Sequence, residues 1–189
     1  MAIDRARVQA AVTELLLAIG EDPSKEEFAS TPQRVAEAYV EFFSGVDQDP
    51  LQHLQETVPV GDVSDAVVVT GITVRSVCEH HLLPFLGVAH LAYIPRDRVV
   101  GLGKLPRVVD VLASRPQMQE RLTEQIADTL VEGLDPRGVL VVIEAQHQCV
   151  AARGVEQTNS RTITIASRGD LVDPTARAQI MALIGSSPS

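Results

Sequence analysis

Apolar positions along the chain follow two rhythms, and the points where they switch divide it into helices and strands. In "DRARVQAAVTELLLAIGEDP" they recur at helical spacing, with Asp4 placed to cap the start and Gly20 to end the helix. "STPQRVAEAYVEFFSG" predicts a second helix. Ser30 or Thr31 offers its N-cap, Pro32 suits the first turn, Gly45 lies past the end, and Val35, Tyr39, Phe42 and Phe43 form the apolar stripe. Val46 to Glu56 is polar and turn-rich and reads as a linker. "VPVGDVSDAVVVTGITVRSVC" is rich in valine and threonine and predicts strand, turn, strand, and "LGVAHLAYIP" predicts another strand. A short helix is expected within "RVVGLGKLPRVVDVLASRP". A long one follows in "QMQERLTEQIADTLVEGLDPRG", where Met118, Leu122, Ile126, Leu130 and Leu134 recur every four residues and Asp135-Pro136 closes the element. "GVLVVIEAQHQCVAARG" opens on the continuous apolar run of a buried strand, "RTITIAS" alternates, and "DPTARAQIMALI" predicts a last helix capped by Asp173; the tail "GSSPS" is expected to fray. The succession of helices, strands, helices, strands and helix is an α+β pattern: a mainly antiparallel sheet with helices on one face and a helical arm in front.

Composition narrows what such a domain does. Hydrophobic residues make up 45%, enough for a core, but aromatics only 3%, so base stacking on aromatic platforms is not the main activity. A net charge of -9 argues against broad binding to nucleic acid or anionic membrane, while a small anionic ligand needs only a few placed cations. No apolar run is long enough to span a bilayer, and the N-terminal stretch lacks the layout of a secretory signal. Two cysteines make no disulfide framework. The expected compartment is cytoplasmic, where thiols stay reduced and can bind metal.

Histidine and cysteine are few yet clustered. "CEHH" holds Cys78, His80 and His81, and "HQC" holds His147 and Cys149. Cys78 and His81, three apart, reach one metal only if the chain turns between them; His147 and Cys149, two apart, share a face if they lie in a strand, and Arg153 shares it if the strand runs on. Two thiolates and an imidazole make a three-ligand Cys₂His set of the open, catalytic zinc type, which leaves other histidines for acid–base work. On spacing alone, buried small hydrophobes, or a Cys78–Cys149 disulfide, remain alternatives.

Five segments in order, "GEDPSKEEFASTPQRVAEAYVEFFSG", "CEHHLLPFLGVAHLAYIP", "GLGKLPRVVDVLASR", "QMQERLTEQIADTL" and "VVIEAQHQCVAARGV", resemble the GTP cyclohydrolase I family. The resemblance implies a helical arm over residues 1–57 and a tunnelling-fold (T-fold) catalytic domain over 58–189. It also implies assembly into a toroidal homodecamer with active sites at subunit interfaces. The implied reaction turns GTP and water into 7,8-dihydroneopterin triphosphate and formate, the entry to tetrahydrofolate-type pterins. By matching positions, Cys78, His81 and Cys149 would bind zinc, and His80 and His147 would be the acid–base pair. Gln119 and Glu120 would lie in the guanine pocket, and Arg34, Lys104, Arg107 and Arg153 would hold the triphosphate. The chemistry is consistent with these types: a carboxylate accepts both N–H donors of the guanine edge, and cations form charge-assisted bonds to phosphate.

The chain departs from the family pattern at Gly103, where serine is common, and at Gln146 and Gln148, which flank His147. Glu79 has no role that spacing assigns. Two other functions fit the same residues: a relative that opens the purine ring but stops at a formylated intermediate, and a non-catalytic nucleotide-binding oligomer with structural zinc.

Overall fold

In the computed structural model, which describes residues 3–61 and 65–186, α1 (Arg5–Ala18) starts where the Asp4 carboxylate accepts from the Arg7 N–H at 3.0 Å. It ends in a left-handed Gly20 (φ 90°), whose neighbour Glu21 donates back to the Leu16 carbonyl. Helix α2 (Thr31–Phe42) carries Pro32 in its first turn as expected, but the Ser30 side chain makes no capping bond. β1 (Thr57–Pro59) and β2 (Val67–Cys78) follow. The turn expected between them falls partly on residues 62–64, outside the described residues. β1 pairs not with β2 but with β4 (Arg98–Val100), after β3 (Pro84–Ile94). Then come α3 (Lys104–Ala113), β5 (Pro116–Gln117), α4 (Gln119–Leu134), β6 (Gly138–His147), the single-turn α5 (Gln148–Ala151), β7 (Thr162–Gly169) and α6 (Pro174–Ser186). Asp173 caps α6 by accepting from the Thr175 and Ala176 N–H groups. The fraying expected of the tail falls on 187–189, outside the described residues, while Gly185 and Ser186 belong to α6.

Among the described residues, one sheet has the order β5-β2-β3-β6-β7, antiparallel throughout except for the short parallel pair β2–β5. Its faces are divided by the two-residue period of the strands. Ala89, Leu91 and Tyr93 of β3 and Val139, Val141 and Ile143 of β6 join the core under α3 and α4. The intervening Ala92, Leu140 and Val142 join a smaller cluster with Leu171 and Ile180 on the other side, where α6 lies. The expectation of helices on one face therefore needs correction: α6 covers part of the opposite face. Double coverage is the reason the "GVLVVI" run is continuous rather than alternating.

Residues 45–54 are no loose linker either. The Arg115 guanidinium donates to the carbonyls of Gly45 (2.8 Å) and Gln48 (2.7 Å), and the Gly45 N–H donates to the Ser114 carbonyl. Leu54, 2% exposed, inserts into the core beside Gly133. These contacts dock the segment after α2 against α3 and α4.

β3 and β6 approach closely at Gly87, where an added Cβ would lie 2.0 Å from the Glu144 carbonyl oxygen and 2.7 Å from the Ala145 Cβ. Gly87→Ala is expected to destabilise the fold by about 1–3 kcal/mol, because the obstacle is backbone that cannot yield without disturbing the ladder. Gly185→Ala, which meets open space, is expected to stay within about 0.5 kcal/mol of the parent. Thermal unfolding at matched protein concentration checks the pair.

Candidate metal centre and histidine cluster

The site is built at one end of the sheet. β2 ends at Cys78, and the chain reverses over the next few residues: the Cys78 N–H donates to the Leu83 carbonyl and the Leu82 N–H to the Cys78 carbonyl, both at 2.9 Å. Leu82 takes a left-handed conformation (φ 51°) to close the turn. This is the bend that the odd spacing of Cys78 and His81 demands. The Glu79 N–H donates to the Gln117 carbonyl at 3.0 Å, and the Glu79 carboxylate accepts from the Arg121 guanidinium on α4. Arg121 also reaches the Gln117 side-chain oxygen at 3.2 Å. Glu79, without a role by spacing, thus ties the turn to α4. Its partner Arg121 carries no signal in the sequence beyond that of an ordinary helical cation.

The second half comes from β6. Strand pairing sets His147 opposite Phe85 of β3, and the two rings stack at 4.7 Å with 13° between their planes. The strand stops at His147. Cys149 lies in the helical turn of α5, so the expectation that it shares a strand face with His147, and with Arg153 beyond, is not met. The turn brings Cys149 to the metal group instead: the ligand atoms of Cys78, His81 and Cys149 all lie within 4.8 Å of one another. Both cysteines are free thiols. Two soft sulfurs and one exposed imidazole nitrogen on a pocket wall fit a divalent, thiolate-favouring metal. Burial, and then the neighbouring Cys78, push the Cys149 thiol up from its ordinary value; Arg153 pulls the other way.

His80 stands beside this group, its Nδ1 3.8 Å from the Cys78 sulfur and its Nε2 3.9 Å from the Glu79 carboxylate. Burial pushes the His147 pKa down, opposed by the charge of Glu120. Cys78, His80, His81, Gln119, Glu120, His147 and Cys149 line one open cavity of about 250 Å³. Glu120 is exposed in the first turn of α4, where the helix dipole favours a carboxylate. Gln119 differs: it is fully buried, and both ends of its side-chain amide bond to protein, the oxygen to His147 Nε2 at 2.7 Å.

The expected phosphate cations are distributed otherwise. Arg107 lines a separate, larger cavity of about 730 Å³ between residues 69–73 of β2 and α3, together with Arg75. Lys104 pairs with Glu56 at 2.6 Å. Arg34 is exposed on α2, and Arg153 is exposed in the loop after α5. None of these four lines the metal cavity. Gly103 precedes α3 in open space, without a side-chain cap. Gln146 donates to the Thr158 carbonyl and fastens the end of β6 to that loop, and Gln148 begins α5.

Among the described residues, no helix is long and apolar enough to cross a membrane. The model of the family described as GTP cyclohydrolase I matches residues 8–185. A protein named GTP cyclohydrolase 1 from Leifsonia xyli is 56% identical over 183 residues, spanning 96% of each chain. Those of Carboxydothermus hydrogenoformans (53%, covering 97% of this chain and 96% of that protein) and Streptomyces griseus (51%, covering 97% and 92%) bear the same name. A solved structure of the apo archaeosine synthase QueF-Like aligns over 58% of this chain and 97% of that one, with 15% identity and a TM-score of 0.42, too distant to carry an argument.

Because burial and Cys78 hold the Cys149 thiol high, it keeps its proton at neutral pH, and a metal must displace that proton. Loading zinc into metal-stripped protein is therefore expected to release protons, with apparent affinity rising as pH is raised. Calorimetry in buffers of different ionisation enthalpy measures the release, and heats independent of buffer would remove Cys149 from the ligand set.

Proposed function

The chain belongs to the GTP cyclohydrolase I family, and we infer that the Cys78–His81–Cys149 group with its two neighbouring histidines is the centre at which it converts GTP and water to 7,8-dihydroneopterin triphosphate and formate. It is a hydrolase of cyclic C–N bonds serving tetrahydrofolate biosynthesis, and its compartment is the cytoplasm. The observation that carries the reading is convergence: three ligand atoms within 4.8 Å of one another, with His80 and His147 on the same cavity wall.

Cys78, His81 and Cys149 would hold zinc, whose contribution when bound is Lewis acidity that makes water a nucleophile at neutral pH. The protein's own residues divide the rest of the work. Glu120 accepts from the two N–H donors of the guanine edge, a pair adenine lacks, and Gln119 forms the wall beside it. Water adds at C8 of the purine. A histidine, His80 or His147, protonates near N7 so that the ring accepts the attack. One C–N bond at C8 then breaks to leave a formamide, a second water hydrolyses the other, and formate leaves. Ribose opening and the condensation that closes the new ring and returns one water both need protons moved, for which the same two histidines serve.

Arg34, Lys104, Arg107 and Arg153 hold the triphosphate through charge-assisted bonds. Since Arg34, Lys104 and Arg107 do not line the cavity of their own chain that holds Cys78, His81 and Cys149, we assign them to a neighbour's site, which makes the active site a shared one. Residues 1–57 act as the helical arm and 58–189 as the catalytic T-fold domain of a toroidal homodecamer. Support comes from apolar surface left open on the single chain: Leu15 and Leu17 on α1 with Ile19 just past its end, and Ile163 and Ile165 on the edge strand β7.

Metal-replete protein given GTP is expected to release formate and a fluorescent pterin; a formylated ring-opened product accumulating in its place would redirect the reading to a shorter reaction. His147→Ala and Lys104→Ala are each expected to lower turnover by about 10²-fold or more. Mixed assemblies of the two variants are expected to regain activity, because some sites then take a wild-type histidine from one subunit and a wild-type lysine from another. Absence of recovery in verified mixed rings would place the cation in its own chain's site.

A further inference from the structure

We infer that Gln119 is a positioning residue that holds His147 in the tautomer protonated at Nε2, leaving Nδ1 as the nitrogen that exchanges protons in the reaction. The inference rests on the acid–base role proposed above for His147.

The argument is one of donors and acceptors. The Gln119 side-chain nitrogen lies 3.0 Å from the Ile143 carbonyl oxygen, 3.0 Å from the Thr162 carbonyl oxygen and 3.1 Å from Thr164 Oγ1. Carbonyl oxygens only accept. With the amide reversed, its oxygen would face two carbonyl oxygens in a fully buried place, acceptor against acceptor with no proton between them. The amide direction is therefore set by β6 and β7. The adjoining hydroxyls agree with it. Thr123 Oγ1 donates to the Gln119 main-chain carbonyl at 2.8 Å, which uses its only proton. At 2.6 Å, Thr164 must then be the donor to Thr123, which turns a lone pair of Thr164 toward the Gln119 amide nitrogen.

With the NH₂ group so committed, Oε1 faces His147 Nε2 at 2.7 Å, and an amide oxygen cannot donate. The proton in that bond belongs to the imidazole. A neutral ring with its proton on Nε2 carries its lone pair on Nδ1. Among the described residues no side chain or backbone group bonds Nδ1. The ring cannot turn over without cost: a half-rotation presents a carbon to Gln119 in place of Nε2. Phe85, fully buried and stacked on the imidazole, holds its plane. Gln119 thus acts through His147, linking β6, β7 and the start of α4 to one ring nitrogen.

The test uses the metal-loaded, fully assembled enzyme labelled with ¹⁵N-histidine. Magic-angle-spinning spectra, with the His147 signals identified by their loss in His147→Ala, are expected to show a protonated Nε2 and an unprotonated Nδ1. The reverse pattern overturns the inference, and this measurement needs no variant at position 119. Gln119→Met keeps length and burial but removes the acceptor. It is expected to lower kcat about 10- to 100-fold with KM for GTP changed by less than about twofold, metal content unchanged, and the single His147 tautomer lost from the spectrum. A kcat within about twofold of the parent overturns the positioning role. His147→Ala turning over GTP at the parent rate would instead overturn the acid–base reading on which the inference rests, so the two failures are told apart.

Discussion

The pairing of β3 between β2 and β6 holds the two halves of the site together. Val77 pairs with Pro84 across the first hairpin, and Phe85 pairs with His147 across the second ladder. The end of β2, the turn that follows it and the end of β6 therefore meet at one edge of the sheet. A slip of one residue in β6 would turn His147 to the other face and carry Cys149 away from Cys78. The tight contact at Gly87 and the two covered faces of β6 both resist such a slip.

Around that edge the polar groups are of two kinds. Gln117 and Gln119 are buried and fully hydrogen-bonded, and they join α4 to the sheet and to the histidine. Such groups are costly to leave unpaired, so each bond partner constrains the others and the site is preorganised. Glu120, His80 and His81 are exposed, which suits groups that must meet a ligand. Stability and access are thus divided between neighbouring residues of the same helix: Gln119 faces in and Glu120 out.

Much of the molecule was legible in the chain. The four-residue period of α4, the caps at Asp4 and Asp173 and the unbroken apolar run of β6 are local signals of helix and strand physics. A Cys₂His type of site was legible in the residue types, and the choice of Cys78, His81 and Cys149 in the family resemblance; the structure brings those three together. The helical turn at Cys149 was not, since "HQC" continues an extended pattern and nothing in it marks the end of the strand. Nor was the docking of residues 45–54, which depends on Arg115 some seventy positions away.

Taken by itself, the sequence determined which groups are present, their order, their local conformation and the family they place the chain in. These follow from side-chain chemistry and short periodicities. Only the tertiary structure decided how the groups face one another: the anchoring of Glu79 to Arg121, the separation of Lys104 and Arg107 from the metal cavity, and the direction of the Gln119 amide. Those outcomes depend on hydrogen bonds between segments remote in the chain, such as Gln119 to Thr164 and to His147. No period or spacing encodes them, because a donor finds its acceptor only once the strands that carry both have paired.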